Sequence, residues 1–170
     1  MISSKLEDAI NEQINAEIYS AYLYQSMAAY FEAISLGGFA NWMDVQAEEE
    51  LTHARKFYDY LNERGGRVIL DSIDAPDVEW EAPIEAFKDA YNHEQKVTAM
   101  INDLVDLAIK ENDHATKSFL QWFVDEQVEE EASVEEIIDK MNMIGESGNG
   151  LYMFDNKLGE RAFVDETQED

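Results

Sequence analysis

Along this chain, apolar residues recur at intervals of three and four over four long stretches, the spacing of one face of an α-helix. The first helix is expected over residues 6–34, ended by Gly37-Gly38. The second spans 39–64 and stops at Gly65-Gly66. The third spans 84–111, and Asn112-Asp113 turn the chain into the fourth, 115–143. A glycine-containing break over 145–150 precedes a short fifth piece, 151–158, with the stripe Leu151, Phe154, Leu158. Residues 164–170 are acidic and expected to be disordered. That leaves residues 1–163 as one domain.

The connections decide the topology. Short turns make the first and second helices antiparallel neighbours, and likewise the third and fourth. Between the pairs lies a link, residues 67–83, containing Pro76, Pro83 and the strand-like run Arg67-Val68-Ile69-Leu70. Extended at roughly 3.3 Å per residue, this link reaches about 55 Å. A helix of this size is about 40 Å long at roughly 1.5 Å per residue. The link therefore traverses a whole helix length, which predicts an all-α, up-down-down-up four-helix bundle with a long crossover.

The inward seams contain residues that a core should not. On the first helix the stripe reads Leu6, Ile10, Gln13, Glu17, Tyr24, Ala28, Phe31. Glu50 interrupts the second seam between Ala47 and Ala54, and Glu94 the third between Ala90 and Val97. Gln127 and Glu130 interrupt the fourth between Phe123 and Val134. Shifting the first hairpin by 77 positions lays Glu17 on Glu94, Glu50 on Gln127, His53 on Glu130 and Glu49 on Glu126. Two hairpins thus carry polar groups at matching heights.

A bare buried carboxylate costs several kcal/mol unless it is paired, protonated or bound to metal. The seams offer no lysine or arginine. Two divalent cations would balance the four carboxylates Glu17, Glu50, Glu94 and Glu130. Glu50-Leu51-Thr52-His53 adds an imidazole three residues on, facing the same partner. Oxygen-rich ligation with one imidazole suits iron or manganese better than structural zinc. Taken singly, each acid also reads as a solvated helix face.

Composition narrows the partners. The chain has 38 acidic and 12 basic residues among 170, a net charge of −26, and no cysteine. Disulfides, zinc–thiolate sites and iron–sulfur clusters are excluded. The charge repels nucleic acid and anionic lipid and attracts cations. The longest charge-free apolar stretch, residues 18–31, is too short to span a bilayer. With no signal-like start, a cytoplasmic location is expected. Carboxylate-lined pores that draw metal inward and a saline habitat both account for the acidity.

Three motifs resemble the haem-free bacterial and archaeal ferritins. They are Asn15-Ala16-Glu17-Ile18-Tyr19-Ser20-Ala21-Tyr22-Leu23-Tyr24, Glu48-Glu49-Glu50-Leu51-Thr52-His53-Ala54, and Phe119-Leu120-Gln121-Trp122-Phe123 with Glu126-Gln127-Val128-Glu129-Glu130-Glu131. The resemblance implies iron storage with ferroxidase activity, in which Fe(II) is oxidised by O2 or H2O2 at a di-iron centre. It also implies self-assembly into a hollow cage, usually of 24 subunits. One iron site would be Glu17, Glu50 and His53. The other would be Glu94 and Glu130, with Glu50 bridging and Gln127 close by. Glu49, Glu126 and Glu129, with Glu130, resemble a third iron site, and a solvated acidic face is the alternative. Tyr24 either hydrogen-bonds a ligand, donates an electron or simply packs. Trp122 resembles a tryptophan near the family's centre, though core packing accounts for it too. Haem-binding relatives carry methionine where Leu51 stands, so no haem is expected.

Other readings remain: a fixed-centre di-metal oxidase or peroxidase, or a non-enzymatic acidic bundle that binds cations. His93 and His114 read as surface residues. The stripe on the fifth helix reads as a subunit contact at a cage axis, or as packing on its own bundle.

Overall fold

The computed structural model describes residues 2–165 and 167. Five helices account for most of it: α1 (Ser4–Ala33), α2 (Gly37–Glu63), α3 (Pro83–Lys110), α4 (His114–Ile144) and α5 (Gly148–Leu158). Ser3 caps α1 by accepting from Leu6 N, and Asp113 caps α4 by accepting from Thr116 N at 3.0 Å. Pro83 opens α3 at its first turn, where its missing N–H is not needed. Of the acidic tail, only Val164, Asp165 and Thr167 are described, so the disorder expected over the rest lies outside the described residues.

Three helices end the same way. After α1, Ser35 takes a left-handed φ of 62°, and Leu36 N donates to Phe31 O at 3.0 Å. Gly65 after α2 and Asn112 after α3 repeat the arrangement, with Gly66 N donating to Leu61 O and Asp113 N to Ala108 O. The expectation that Gly37-Gly38 would end the first helix is therefore corrected. Ser35 performs that turn, and both glycines lie inside the first turn of α2.

Gly38 has a different task. A Cβ there would sit 1.6 Å from the Asp155 carbonyl oxygen, so the glycine lets α5 dock against the start of α2. Leu36 gives α2 no side-chain cap, and Asp155 supplies one from α5. Its Oδ1 accepts from Gly38 N at 2.8 Å and Phe39 N at 3.1 Å. Phe154 and Leu158 are buried in the same corner, Phe154 edge-on to Phe39 with ring centroids 5.7 Å apart. The stripe thus packs on its own bundle. The cage-axis alternative is not what these two side chains do, while Tyr152 and Met153 face outward.

Cross-helix pairs settle the direction of each helix. Between α2 and α4 one residue number rises as the other falls: Gln46 with Glu130, Tyr60 with Thr116, Arg64 with Asp113. Between α1 and α3, Lys5 meets Glu111 and Ser20 meets His93. Both pairs are antiparallel, which gives the up-down-down-up order. The crossover between α2 and α3 climbs the outside of α1 in an extended conformation. Asn11 donates to Arg67 O and accepts from Ile69 N, Asn15 donates to Ser72 O, and Ser26 donates to Asp77 O. Side chains of α1 thus replace the strand partner that the Arg67–Leu70 pattern suggested, and no strand forms among the described residues.

The core divides into two apolar clusters. One is built around Leu6, Ile10, Phe57, Ile101, Leu120 and Phe123, the other around Met27, Phe31, Phe39, Phe87, Val134 and Ile137. The polar seam residues lie between them. Among the described residues no helix is long and apolar enough to cross a membrane.

Replacing Gly38 with alanine is expected to cost about 1–3 kcal/mol by forcing α5 off α2. The same change at Gly37, where nothing lies within 4 Å of the added carbon, is expected to cost nothing. Thermal unfolding of the two variants side by side checks this, and equal melting temperatures would contradict the docking role.

Candidate metal centre

Each of the four main helices delivers polar side chains to one level of the bundle. Glu17 comes from α1, Glu50 and His53 from α2, Glu94 from α3, and Gln127 and Glu130 from α4; all six are no more than 5 % exposed. The i, i+3 spacing of Glu50 and His53 puts His53 Nδ1 3.6 Å from Glu50 Oε2. Ligand atoms of Glu17, Glu50 and His53 all lie within 4.8 Å of one another, and the same holds for His53, Glu126 and Glu130. His53 therefore stands between two groups of carboxylates. Its ring is held edge-on by Trp122 and Phe123, with centroids 5.4 and 6.0 Å away.

Neutral donors steady the carboxylates. Gln13 donates to Glu17 Oε1 at 2.7 Å, and Gln46 donates to Glu130 Oε2. Tyr24 donates to Glu94 Oε1, while Gln127 reaches Glu94 Oε2 at 3.2 Å and the Glu94 carbonyl at 3.3 Å. Among the described residues no lysine or arginine forms an ion pair with any of the four. Glu17 Oε2 is buried and has no partner at all.

The protonation behaviour follows. Burial pushes Glu17 and Glu50 well above the usual carboxylate range; Glu50's charge adds to the shift at Glu17, and Glu94's to that at Glu50. Burial does the same to Glu130, reinforced by Glu94 and Glu50. Glu94 is also raised by burial, with the bonds from Tyr24 and Gln127 pulling the other way. Burial and then the Glu94 charge hold the Tyr24 phenol well above its ordinary value, so it remains a donor. Each of these shifts favours the protonated carboxyl, and a bound cation would favour the ionised one. The donor set, mostly carboxylate oxygen with a single imidazole nitrogen, fits hard or borderline divalent ions such as Fe(II) or Mn(II).

The secondary candidates separate. Glu126 is half-buried and joins His53 and Glu130, whereas Glu129 is exposed and lies outside both groups. Glu49 pairs with Arg161 at 2.6 Å. His114 is exposed, but His93 is not the surface residue expected. It shares a 2.7 Å hydrogen bond with Ser20 across α1 and α3, and burial, with Lys96 nearby, pushes it down to about 4. Gln46 and Arg161 went unnoticed in the sequence, and Gln13 was read only as part of a seam. A usable signal existed for the glutamines: Gln13 stands four residues before Glu17 and Gln46 four before Glu50, one helical turn along the same face.

Known proteins share this architecture. A family model described as a ferritin-like domain matches residues 7–144. The bacterial non-heme ferritin of Staphylococcus saprophyticus is 47 % identical over 163 residues, 96 % of this chain and 98 % of the relative. That of Bacteroides fragilis is 46 % identical over 161 residues, 95 % of this chain and 100 % of its own. An engineered closed form of the Archaeoglobus fulgidus ferritin superposes with a TM-score of 0.95 at 53 % identity, covering 96 % of this chain and 100 % of that one. The open-pore ferritin of the same archaeon gives 0.94 at 53 % identity over 95 % and 100 %.

The raised Glu17 value has a definite sign. Glu17 favours folding below its unfolded value of 4.5, and that contribution is lost as pH rises through the higher folded value. In chelator, Glu17→Gln is therefore expected to melt above the unsubstituted protein at pH 8, by about 1–3 kcal/mol of stability. The gap should narrow towards pH 5. A gap that is constant or widens on acidification would show that the burial of this carboxylate is not what sets its titration.

Proposed function

This chain belongs to the ferritin family, and on that premise we propose that it takes up Fe(II), oxidises it in the bundle interior and stores the ferric product within a cage of its own copies. One observation carries the reading. Four carboxylates from four helices are buried together around a single imidazole, with no lysine or arginine paired to them among the described residues, and one oxygen, Glu17 Oε2, receives no hydrogen bond there. Iron is the substrate here, and its charge is what the cluster lacks.

In this reading Glu17, Glu50 and His53 bind one Fe(II), and Glu94 and Glu130 bind the other with Gln127 alongside. Glu50, which burial and then the charge of Glu94 raise, bridges the two in this reading. Each Fe(II) gives one electron to O2 or H2O2. The Fe(III) formed hydrolyses, releasing protons as it passes to the mineral. The protein contributes ligand geometry, burial and charge, while the electron transfer is iron's own chemistry. Tyr24 holds one oxygen of Glu94 and leaves the other to Gln127 and the metal, a positioning role. The net charge of −26 favours the approach of Fe(II) to the assembled particle, which we place in the cytoplasm. A 24-subunit cage is the assembly we assign to it.

Aerobic addition of Fe(II) to the assembled protein tests the function. Many irons oxidised per subunit, ending in a mineral-filled particle, are expected; arrest at two would indicate a fixed-centre oxidase, and oxidation at the buffer rate a passive cation binder. His53→Ala and Glu130→Ala are each expected to slow initial oxidation roughly 10- to 100-fold with helical circular dichroism retained. Unchanged rates in both would reject this assignment of the site.

A further inference from the structure

The strongest basic feature near the centre comes from outside the four-helix bundle. Past the end of α5 the chain doubles back along α2, where Asn41 holds it by donating to the carbonyls of Leu158 and Arg161 at 3.3 and 2.9 Å. The Arg161 guanidinium then lies along the α2 surface over successive turns. It sits over the Trp42 ring at 4.5 Å and donates to Trp42 O at 3.2 Å, to Gln46 Oε1 at 2.9 Å and to Glu49 Oε2 at 2.6 Å. We infer that Arg161 is a positioning residue of the centre: through Gln46 it sets the Glu130 carboxylate for the second metal ion, and through Glu49 it holds back a third. The inference rests on the iron-binding reading above.

The relay is directional. A guanidinium can only donate and a carboxylate can only accept, so an amide between them fits one way round. Gln46 must turn Oε1 to Arg161 and its NH2 to Glu130 Oε2, as found. Both groups of the Gln46 side chain are spoken for, and Gln46 is fully buried. One oxygen of Glu130 is thereby occupied and the carboxylate held in one orientation, leaving Oε1 for a metal ion. Without Arg161 the Gln46 amide can rotate, and the orientation of Glu130 is no longer specified.

Glu49 is the other arm. It is one of the residues that resemble a third iron site, together with Glu126, Glu129 and Glu130. Arg161 holds Glu49 at a distance typical of a charge-assisted bond. An ion bound through the same Glu49 oxygen must displace the guanidinium. Arg161 thus favours the second ion and opposes the third, so that iron is retained at the two-ion centre in preference to the acid cluster beside it.

Anaerobic titration of the intact, assembled protein with Co(II), followed by calorimetry and visible absorption, reads ion occupancy apart from oxidation. Two tighter ions and a weak third are expected per subunit in the unsubstituted protein. In Arg161→Ala the second ion is expected to weaken about 10-fold, the first by clearly less because Gln46 also reaches the shared Glu50, and the third to tighten. Gln46→Leu should reproduce the loss at the second ion without the gain at the third, because Glu49 keeps its partner. Equal weakening of all ions, the mark of an arm that merely braces the fold, overturns the inference, as do unchanged affinities in Arg161→Ala. If the unsubstituted protein binds no Co(II), the iron-binding reading itself fails, and this inference with it.

Discussion

Four glutamates converge in a dry interior with one imidazole and, among the described residues, no paired lysine or arginine to meet them, and most of the structure is arranged around that expense. A lone ionised carboxylate in such a place is strongly disfavoured, and four repel one another besides. The fold manages this in layers. Apolar clusters above and below are packed with interlocking aromatics, as in the stacked Phe57 and Phe123 rings 4.0 Å apart. These supply the stability that the polar level gives away. Within that level, neutral donors orient the carboxylates: Gln13 and Gln46 each take one oxygen of Glu17 and Glu130, while Tyr24 and Gln127 take one oxygen each of Glu94. A neutral donor can orient a carboxylate without cancelling its charge, whereas a lysine or arginine would leave nothing for a cation to do.

The helix order serves the same end. A simple up-down-up-down chain would also gather four helices, but here the second pair is reversed by the long crossover. That reversal makes α1 antiparallel to α3 and α2 antiparallel to α4, so the hairpins pack with approximate twofold symmetry. Glu17 and Glu94 then stand opposite each other at one height, as do Glu50 and Gln127. The crossover is tolerable because α1 satisfies its backbone. Asn11, Asn15 and Ser26 act as rungs in place of a neighbouring strand. Loop and site are therefore linked: the outward face of α1 holds the crossover, and its inward face carries Glu17.

What could be read from the chain alone was governed by how local the determinant was. Glu17, Glu50, Glu94, Gln127 and Glu130 were singled out by periodicity, since a polar group on an apolar stripe is visible in sequence, and His53 by its place three residues after Glu50; the structure buries all six at one level. The helix that ends at Ser35 was misjudged because a non-glycine residue took the left-handed position, while the conspicuous Gly37-Gly38 pair was reserved for the approach of α5. Arg67–Leu70 looked like a strand because the pattern reports an extended backbone, not what pairs with it. His93 was placed at the surface because nothing nearby in sequence marks Ser20 as its partner. Arg161 was invisible for the same reason: its contacts on Trp42, Gln46 and Glu49 lie more than a hundred residues away, and only the path of the chain beyond α5 brings them together.

The two hairpins are similar but not equal, and the difference gives the centre a direction. Where the first hairpin offers Glu50 and His53, the second offers Gln127 and Glu130. One half thus presents carboxylates and an imidazole, the other carboxylates and a neutral amide that is already donating to Glu94. An amide carbonyl is a poorer ligand than a carboxylate, so on the proposed assignment the Glu94–Glu130 half would hold a cation less firmly. Beyond Glu130 the acids continue outward through half-buried Glu126 to exposed Glu129, and burial falls along that line. Carboxylates that are progressively better solvated are less desperate for a cation. The descent from a buried centre to a wet acidic face is a gradient of carboxylate solvation along α4. Arg161 stands beside its first step.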